Sequence, residues 1–247
     1  MKAVVAVVAL AGGLAVGSGL PEAQTPPSAE EIAAYGGLHA AAARGDAAEV
    51  RRLLAAGSAP DARDARGRTA LHVAAFASSQ EAARALVQGG ADPNALEGQR
   101  YDIVTIAAVR NDVSMLRLAL ALGARAGNTT SPYDGTALIA AAHLGHDEVV
   151  RELIRAGAPL DHVNNLGWTA VIEAVILGDG GARHQACLRA LVEAGADINR
   201  SDRQGVSALA HARQRGYAEM VQILERAGAS RTRRWLRRRV SLRWPNT

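Results

Sequence analysis

Gly67-Arg68-Thr69-Ala70-Leu71-His72-Val73-Ala74-Ala75 is the stretch on which the reading of this 247-residue chain turns. Thr69 has the character of a helix N-cap, because its hydroxyl can accept one of the orphan backbone N–H groups of a first helical turn. Outward from it the pattern recurs. Asp102, Thr136, Thr169 and Ser207 take the cap position in later copies, and Gly36 takes it in an earlier one. Two residues on, the side chain is always branched and apolar: Leu38, Leu71, Val104, Leu138, Val171 and Leu209. Five residues on it is always alanine: Ala41, Ala74, Ala107, Ala141, Ala174 and Ala212. A column of alanine within one chain predicts helices packed too closely for any larger side chain.

Nine residues after the cap stand Gly45, Ser78, Asn111, Gly145, Gly178 and Gly216, residues suited to ending a helix in a tight turn. A second helix follows, with one apolar face, as in Val50, Leu53 and Leu54 or Val150, Leu153 and Ile154. It closes at Gly57, Gly90, Gly123, Gly157, Gly195 and Gly228, spaced 33, 33, 34, 38 and 33 residues apart. Four residues later come the turn formers Asp61, Asn94, Asp161 and Asn199, with Gly127 at the third junction. The unit is helix, turn, helix, hairpin loop, repeated about six times.

The unit resembles the ankyrin repeat family. Thr69-Ala70-Leu71-His72-Val73-Ala74-Ala75 is similar to that family's T-P-L-H-x-A-A signature with Ala for Pro, and Ala91-Asp92-Pro93-Asn94 and Ala196-Asp197-Ile198-Asn199 to its repeat ending. Only the second repeat keeps Thr and His together; the third reads Asp102-Ile103-Val104-Thr105. The resemblance implies an all-α ankyrin repeat solenoid of about six repeats over residues 32–229. It further implies a binding module, whether scaffold, inhibitor or assembly factor, that acts on a protein partner through a rigid concave face. A solenoid buries each repeat against its neighbours, so its last copy needs a polar outer side. Arg213 and Glu225, standing in columns that are small or apolar elsewhere, mark the sixth repeat as that cap.

Composition fits this reading. With 49% hydrophobic and 21% charged residues the chain is neither disordered, collagenous nor all-membrane, and 3% aromatic content argues against a sandwich or barrel. A single cysteine, Cys187, excludes an intrachain disulfide. The net charge of +4 is a property of one end, since residues 231–247 hold seven arginines and no acid.

The termini divide from the repeats. Lys2, the uncharged run Ala3–Val16, small residues and Gln24-Thr25-Pro26-Pro27-Ser28 follow the order of a secretory signal peptide, assigned to residues 1–23. Its cleavage point is open among several small-residue sites, and an uncleaved anchor is the competing reading. Residues 24–31 read as a polar linker. The expected location is periplasmic or secreted, in a bacterial envelope. Residues 230–247 form an Arg/Trp-rich tail in which Arg233, Arg234, Trp235, Arg237, Arg238, Arg239 and Trp244 suit an anionic membrane surface. A solvated, functionless end is the alternative. Nucleic acid would attract the same charges, but export removes the chain from that partner.

No chemistry-bearing constellation stands out. His143-x-x-His146 can be read as metal ligands one turn apart, yet His146 follows the turn residue Gly145, where ankyrin repeats often carry histidine. Ser207, His211 and Asp202 lie close in sequence, but Ser207 is a repeat cap. Gly178-Asp179-Gly180-Gly181 lacks the lysine and helix start of a phosphate loop, and is assigned to a five-residue insertion across 178–185. No enzyme, cofactor or metal is expected, and the chain is expected to be a monomer. The sharper signal is aromatic: Tyr101, Tyr133 and Trp168 fall at or just before three successive helix starts, with Tyr35 in the first. Beside Arg100, Asp134 and His162 they are expected to form a partner-binding strip. The alternative is that the rings merely cover the next hairpin.

Overall fold

A computed structural model describes residues 24–229. The signal segment and the Arg/Trp tail, including Arg233, Arg234, Trp235, Arg237, Arg238, Arg239 and Trp244, lie outside the described residues.

After α1 (Ala29–Ala34), the helices come in pairs. The first helices are α2 (Gly37–Arg44), α4 (Ala70–Phe76), α6 (Ile103–Val109), α8 (Ala137–Leu144), α10 (Ala170–Ile176) and α12 (Ala208–Gln214). The second helices are α3 (Ala47–Ala55), α5 (Gln80–Gln88), α7 (Val113–Ala121), α9 (Asp147–Arg155), α11 (Ala182–Glu193) and α13 (Ala218–Arg226). Each first helix packs on the next first helix and each second on the next second, so the pairs stack in chain order. The hairpins between them hold only isolated bridges among the described residues, at Arg63–Thr69, Thr130–Gly135 and Ser201–Ser207. This is the all-α solenoid that the periodicity implies.

The columns explain the stack. Asp102, Thr136, Thr169 and Ser207 cap their helices through a side-chain oxygen that accepts the N–H three residues on. Every residue of the alanine column is wholly buried, and the branched column beside it is at most 5% exposed. First helices can therefore approach to the limit set by a methyl group. The closing glycines all adopt left-handed backbone, the conformation that ends a helix most cheaply. At the sixth repeat Arg213 and Glu225 pair with each other on the exposed side, as a polar end cap requires.

Two places depart from the sequence reading. The linker assigned to 24–31 ends in helix α1, which Ser28 starts with a reciprocal capping box to Glu31. The second half of the insertion in the fifth repeat is helix: α11 has 12 residues where the other second helices have 9, and Leu177–Gly181 connects it to α10. That connection is tied down by Tyr217 OH donating to the Gly178 carbonyl (3.0 Å) and Gln185 Nε2 to Gly180 (2.8 Å).

Candidate partner-binding surface

The hairpin tips are built by a column that the periodic reading passes over. Five residues before each cap stands a side-chain oxygen: Asp64, Glu97, Ser131, Asn164 and Asp202. Each accepts backbone N–H groups two and four residues on, as Asn164 Oδ1 does from Leu166 (3.1 Å) and Trp168 (2.9 Å) and Asp64 Oδ1 from Arg66 and Arg68 (both 2.9 Å). One acceptor thus closes each tip and satisfies donors that a hairpin without a ladder would leave unpaired. Successive tips are joined by backbone hydrogen bonds: Gly98 N to Arg66 O (3.0 Å), Ser131 N to Arg100 O (2.9 Å) and Asn165 N to Tyr133 O (2.9 Å). The tips form a fixed row.

The predicted strip is only partly on that row. Tyr101 is 8% exposed and lies in the core, so it does not present its ring to a partner. Its register gives the reason. Tyr35, Arg68, Tyr101 and Trp168 each directly precede a cap residue, the position from which a side chain folds inward over the stack; Arg68 is 1% exposed, and Trp168 packs partly on the core. Burial pushes the Tyr101 hydroxyl up to about 12. Tyr133 stands three residues before its cap, at the tip itself, and is half-buried.

Arg100, Asp134 and His162 are brought together. Arg100 Nη1 lies 2.9 Å from Asp134 Oδ1, and His162 Nε2 donates to the Asp134 carbonyl at 2.6 Å. Arg100 (φ 66°) and Asp134 (φ 51°) hold the left-handed position that Gly67, Gly167 and Gly205 take in the other hairpins. For a non-glycine residue that backbone costs about 1 kcal/mol. The exposed ion pair offsets part of it.

Sequence reasoning missed Val163 and Leu166, which are 39% and 38% exposed on the hairpin between Tyr133 and Trp168. A signal existed. At the column of Leu166 the other tips carry Arg66, Gln99, Tyr133 and Gln204, so an aliphatic residue there is out of pattern. Tyr133, Val163, Leu166 and Trp168 place apolar surface on two joined tips, beside the Arg100–Asp134–His162 chain.

The histidines weighed for chemistry are occupied structurally. His146 Nδ1 meets the Ala108 carbonyl (2.9 Å) and His143 Nδ1 meets Glu173 (3.1 Å), so the pair does not converge on one point. Among the described residues no group of three or more His, Cys, Asp or Glu is arranged to hold a metal ion. His211 pairs with Asp202 (2.7 Å), but Ser207 Oγ accepts the Ala210 N–H and takes no part. His72 Nδ1 accepts the Thr69 N–H (3.1 Å), which leaves Nε2 to donate to the Ala95 carbonyl (3.0 Å). Burial holds His72 down at about 4, so it is a neutral structural ring. Cys187 is fully buried and its thiol pushed up to about 12 by burial, which makes it unreactive.

Known proteins share this architecture. A family model described as ankyrin repeats (3 copies) matches residues 30–97 and 104–202, and one described as ankyrin repeats (many copies) matches residues 181–225. The putative ankyrin repeat protein YahD of Escherichia coli K12 is 34% identical over 125 residues, which are 50% of this chain and 62% of that protein, so the match leaves over a third of that relative uncovered. An ankyrin repeat domain from Acinetobacter baumannii AYE superposes with a TM-score of 0.74 at 44% identity, over 78% of this chain and 98% of that one. The ankyrin repeat domain of Bcl-3, a member of the IkappaB protein family, does so with a TM-score of 0.71 at 30% identity, over 80% of this chain and 88% of that one. Capped helix pairs, a buried alanine column, a row of hairpin tips and these matches lead to one conclusion: the chain belongs to the ankyrin repeat family.

Proposed function

We propose that this chain is a non-enzymatic interaction module of the bacterial envelope or periplasm, binding a protein partner through its hairpin tips and the adjoining first helices. The observation that carries the reading is the row of hydrogen-bonded tips with Tyr133, Val163, Leu166 and Trp168 on two of them. Apolar and aromatic anchors beside a charged rim are the composition of binding hot spots. A stack that fixes them in advance spends little ordering entropy on association. Ankyrin repeats are interaction modules, and the arrangement of His143, His146, Ser207 and His211 supports no catalytic alternative. Export rests on the order of residues 1–23 alone.

Affinity capture from an envelope extract tests this, with residues 24–247 as bait beside the Tyr133→Ala/Trp168→Ala variant, both checked for equal helical melting. A partner retained by the first bait and lost by the second is the expected result. Equal retention would move the site off the tips. Loss of liposome binding on deleting 231–247, with no protein captured, would favour a membrane-surface adaptor docking through the tail.

A further inference from the structure

The first two hairpin tips are contacted by a piece of the chain that does not behave as a solenoid cap. A capping repeat seals its neighbour by burying apolar residues. Helix α1 buries none of its six, and Ile32 is left 45% exposed. What holds the segment are polar contacts to the tips, together with the ring of Tyr35, which packs partly on the core. Glu31 Oε1 accepts from Arg66 Nε and Arg68 Nη2, both at 2.8 Å, and Tyr35 OH donates to Asp64 at 2.7 Å. Thr25 N reaches Gln99 on the next tip at 3.3 Å.

Beneath lies an unusual group. Arg68 is 1% exposed, and its Nη1 is buried without a hydrogen-bond partner among the described residues. A buried guanidinium is costly unless its donors are met, and the residue that supplies the second carboxylate is Glu31, from the segment itself. The first hairpin offers Arg63, Arg66 and Arg68 against two carboxylates, and of these Asp61 is turned to the Asp92 N–H while only Asp64 meets Arg68. Behind the segment, Gly36 and Gly37 stand exposed, with open space around both and left-handed backbone at Gly37 (φ 52°). That is the composition of a hinge.

We propose that the face formed by Asp64, Arg66 and Arg68 is a docking surface for an acidic segment of a partner protein, that residues 24–35 are the chain's own occupant of it, and that the partner binds by displacing this strap about Gly36–Gly37. The inference extends the reading of the hairpin tips as the binding surface. Glu31 is the stand-in for the partner's carboxylate, with the geometry of an arginine-clamped acid. Because the strap is tethered, it competes at an effective concentration in the millimolar range, and partner affinity falls by the fraction of molecules in which it is seated.

The test uses the full chain, wild type and Glu31→Gln, with a labelled, end-blocked peptide of the sequence of residues 26–35 as probe. Amide exchange in the variant should rise at least roughly tenfold over residues 24–35 and stay unchanged from α4 to α13. Fluorescence anisotropy should show the peptide binding the variant at least roughly tenfold more tightly than wild type. Arg66→Gln in the Glu31→Gln background should cancel that gain, as should Gln in place of the peptide's own Glu31. Unchanged exchange would make the segment a fixed cap and overturn the proposal. So would binding that is equal for both proteins, absent from both, or indifferent to Arg66. The Tyr133→Ala/Trp168→Ala variant should keep peptide binding, so failure of the strap and failure of the tip strip are read separately.

Discussion

At the scale of single residues, close approach and burial decide what can be changed. Gly98 donates to the Arg66 carbonyl, and a β-carbon on it would lie 2.3 Å from that oxygen. Gly98→Ala should therefore push the first two tips apart and cost about 1–3 kcal/mol in urea unfolding. His72 makes a pH-dependent contribution whose sign is fixed by its environment. Unfolded, the ring titrates near 6.5; folded, it does so at about 4, so the unfolded chain binds the proton first. Stability from this group is complete above pH 6.5 and drains as pH falls toward 4, by at most about 3 kcal/mol. His72→Gln, which keeps an acceptor for the Thr69 N–H, should flatten that part of the stability–pH curve. The cap and alanine columns were legible because each repeats one requirement at one spacing. The fate of Tyr101 was not: an aromatic before a cap and one at a tip look alike in sequence, and two residues of register separate a buried ring from an available one.

At the scale of elements, helices held by core contacts contrast with the one held by charge. Hydrogen bonding by the Ser28 backbone N–H, then Arg68, holds the Glu31 carboxyl at about 2. Burial alone would raise Asp64, but donation from Tyr35 and Arg68 outweighs it and keeps Asp64 also at about 2. Both carboxylates have depressed values in the folded state. Attachment of α1 is thus complete above about pH 4.5 and should weaken as pH falls from there toward 2, seen as amide exchange rising over residues 24–35 after correction for intrinsic rates. Ser28-Ala29-Glu30-Glu31 carries the pattern of a capped helix start, but nothing in the sequence placed α1 on the tips, because its partners lie 35 and 37 residues away and its own pattern is too short for a periodic face. The insertion was visible as five residues too many. Its folding as an added turn of α11 was not, since the glycines that suggested a loop cluster at its start.

At the scale of the molecule, every repeat is held by its neighbours. Leu71 and Ala107 lie at the centre of that contact and are 1% and 0% exposed. Leu71→Asp should destabilise by a few kcal/mol, roughly 3–5, through a buried charge, and Ala107→Leu by about 1–3 through overpacking. Wild-type melting of both would contradict the stack. The order of helix pairs was fully legible, for the same reason that the fold is simple: contacts join one copy to the next. That connectivity has a mechanical consequence. Pulled by its ends, such a stack bears load in series, so tension reaches each repeat through its neighbour and yields first where a repeat has a neighbour on one side only. Each repeat of 33 residues that peels away frees roughly 110–120 Å of extended chain. The molecule is accordingly built as a spring that lengthens in steps of similar size, the fifth repeat giving the longest, and whatever grips its row of hairpin tips from one side also sets how many of those steps are open to it.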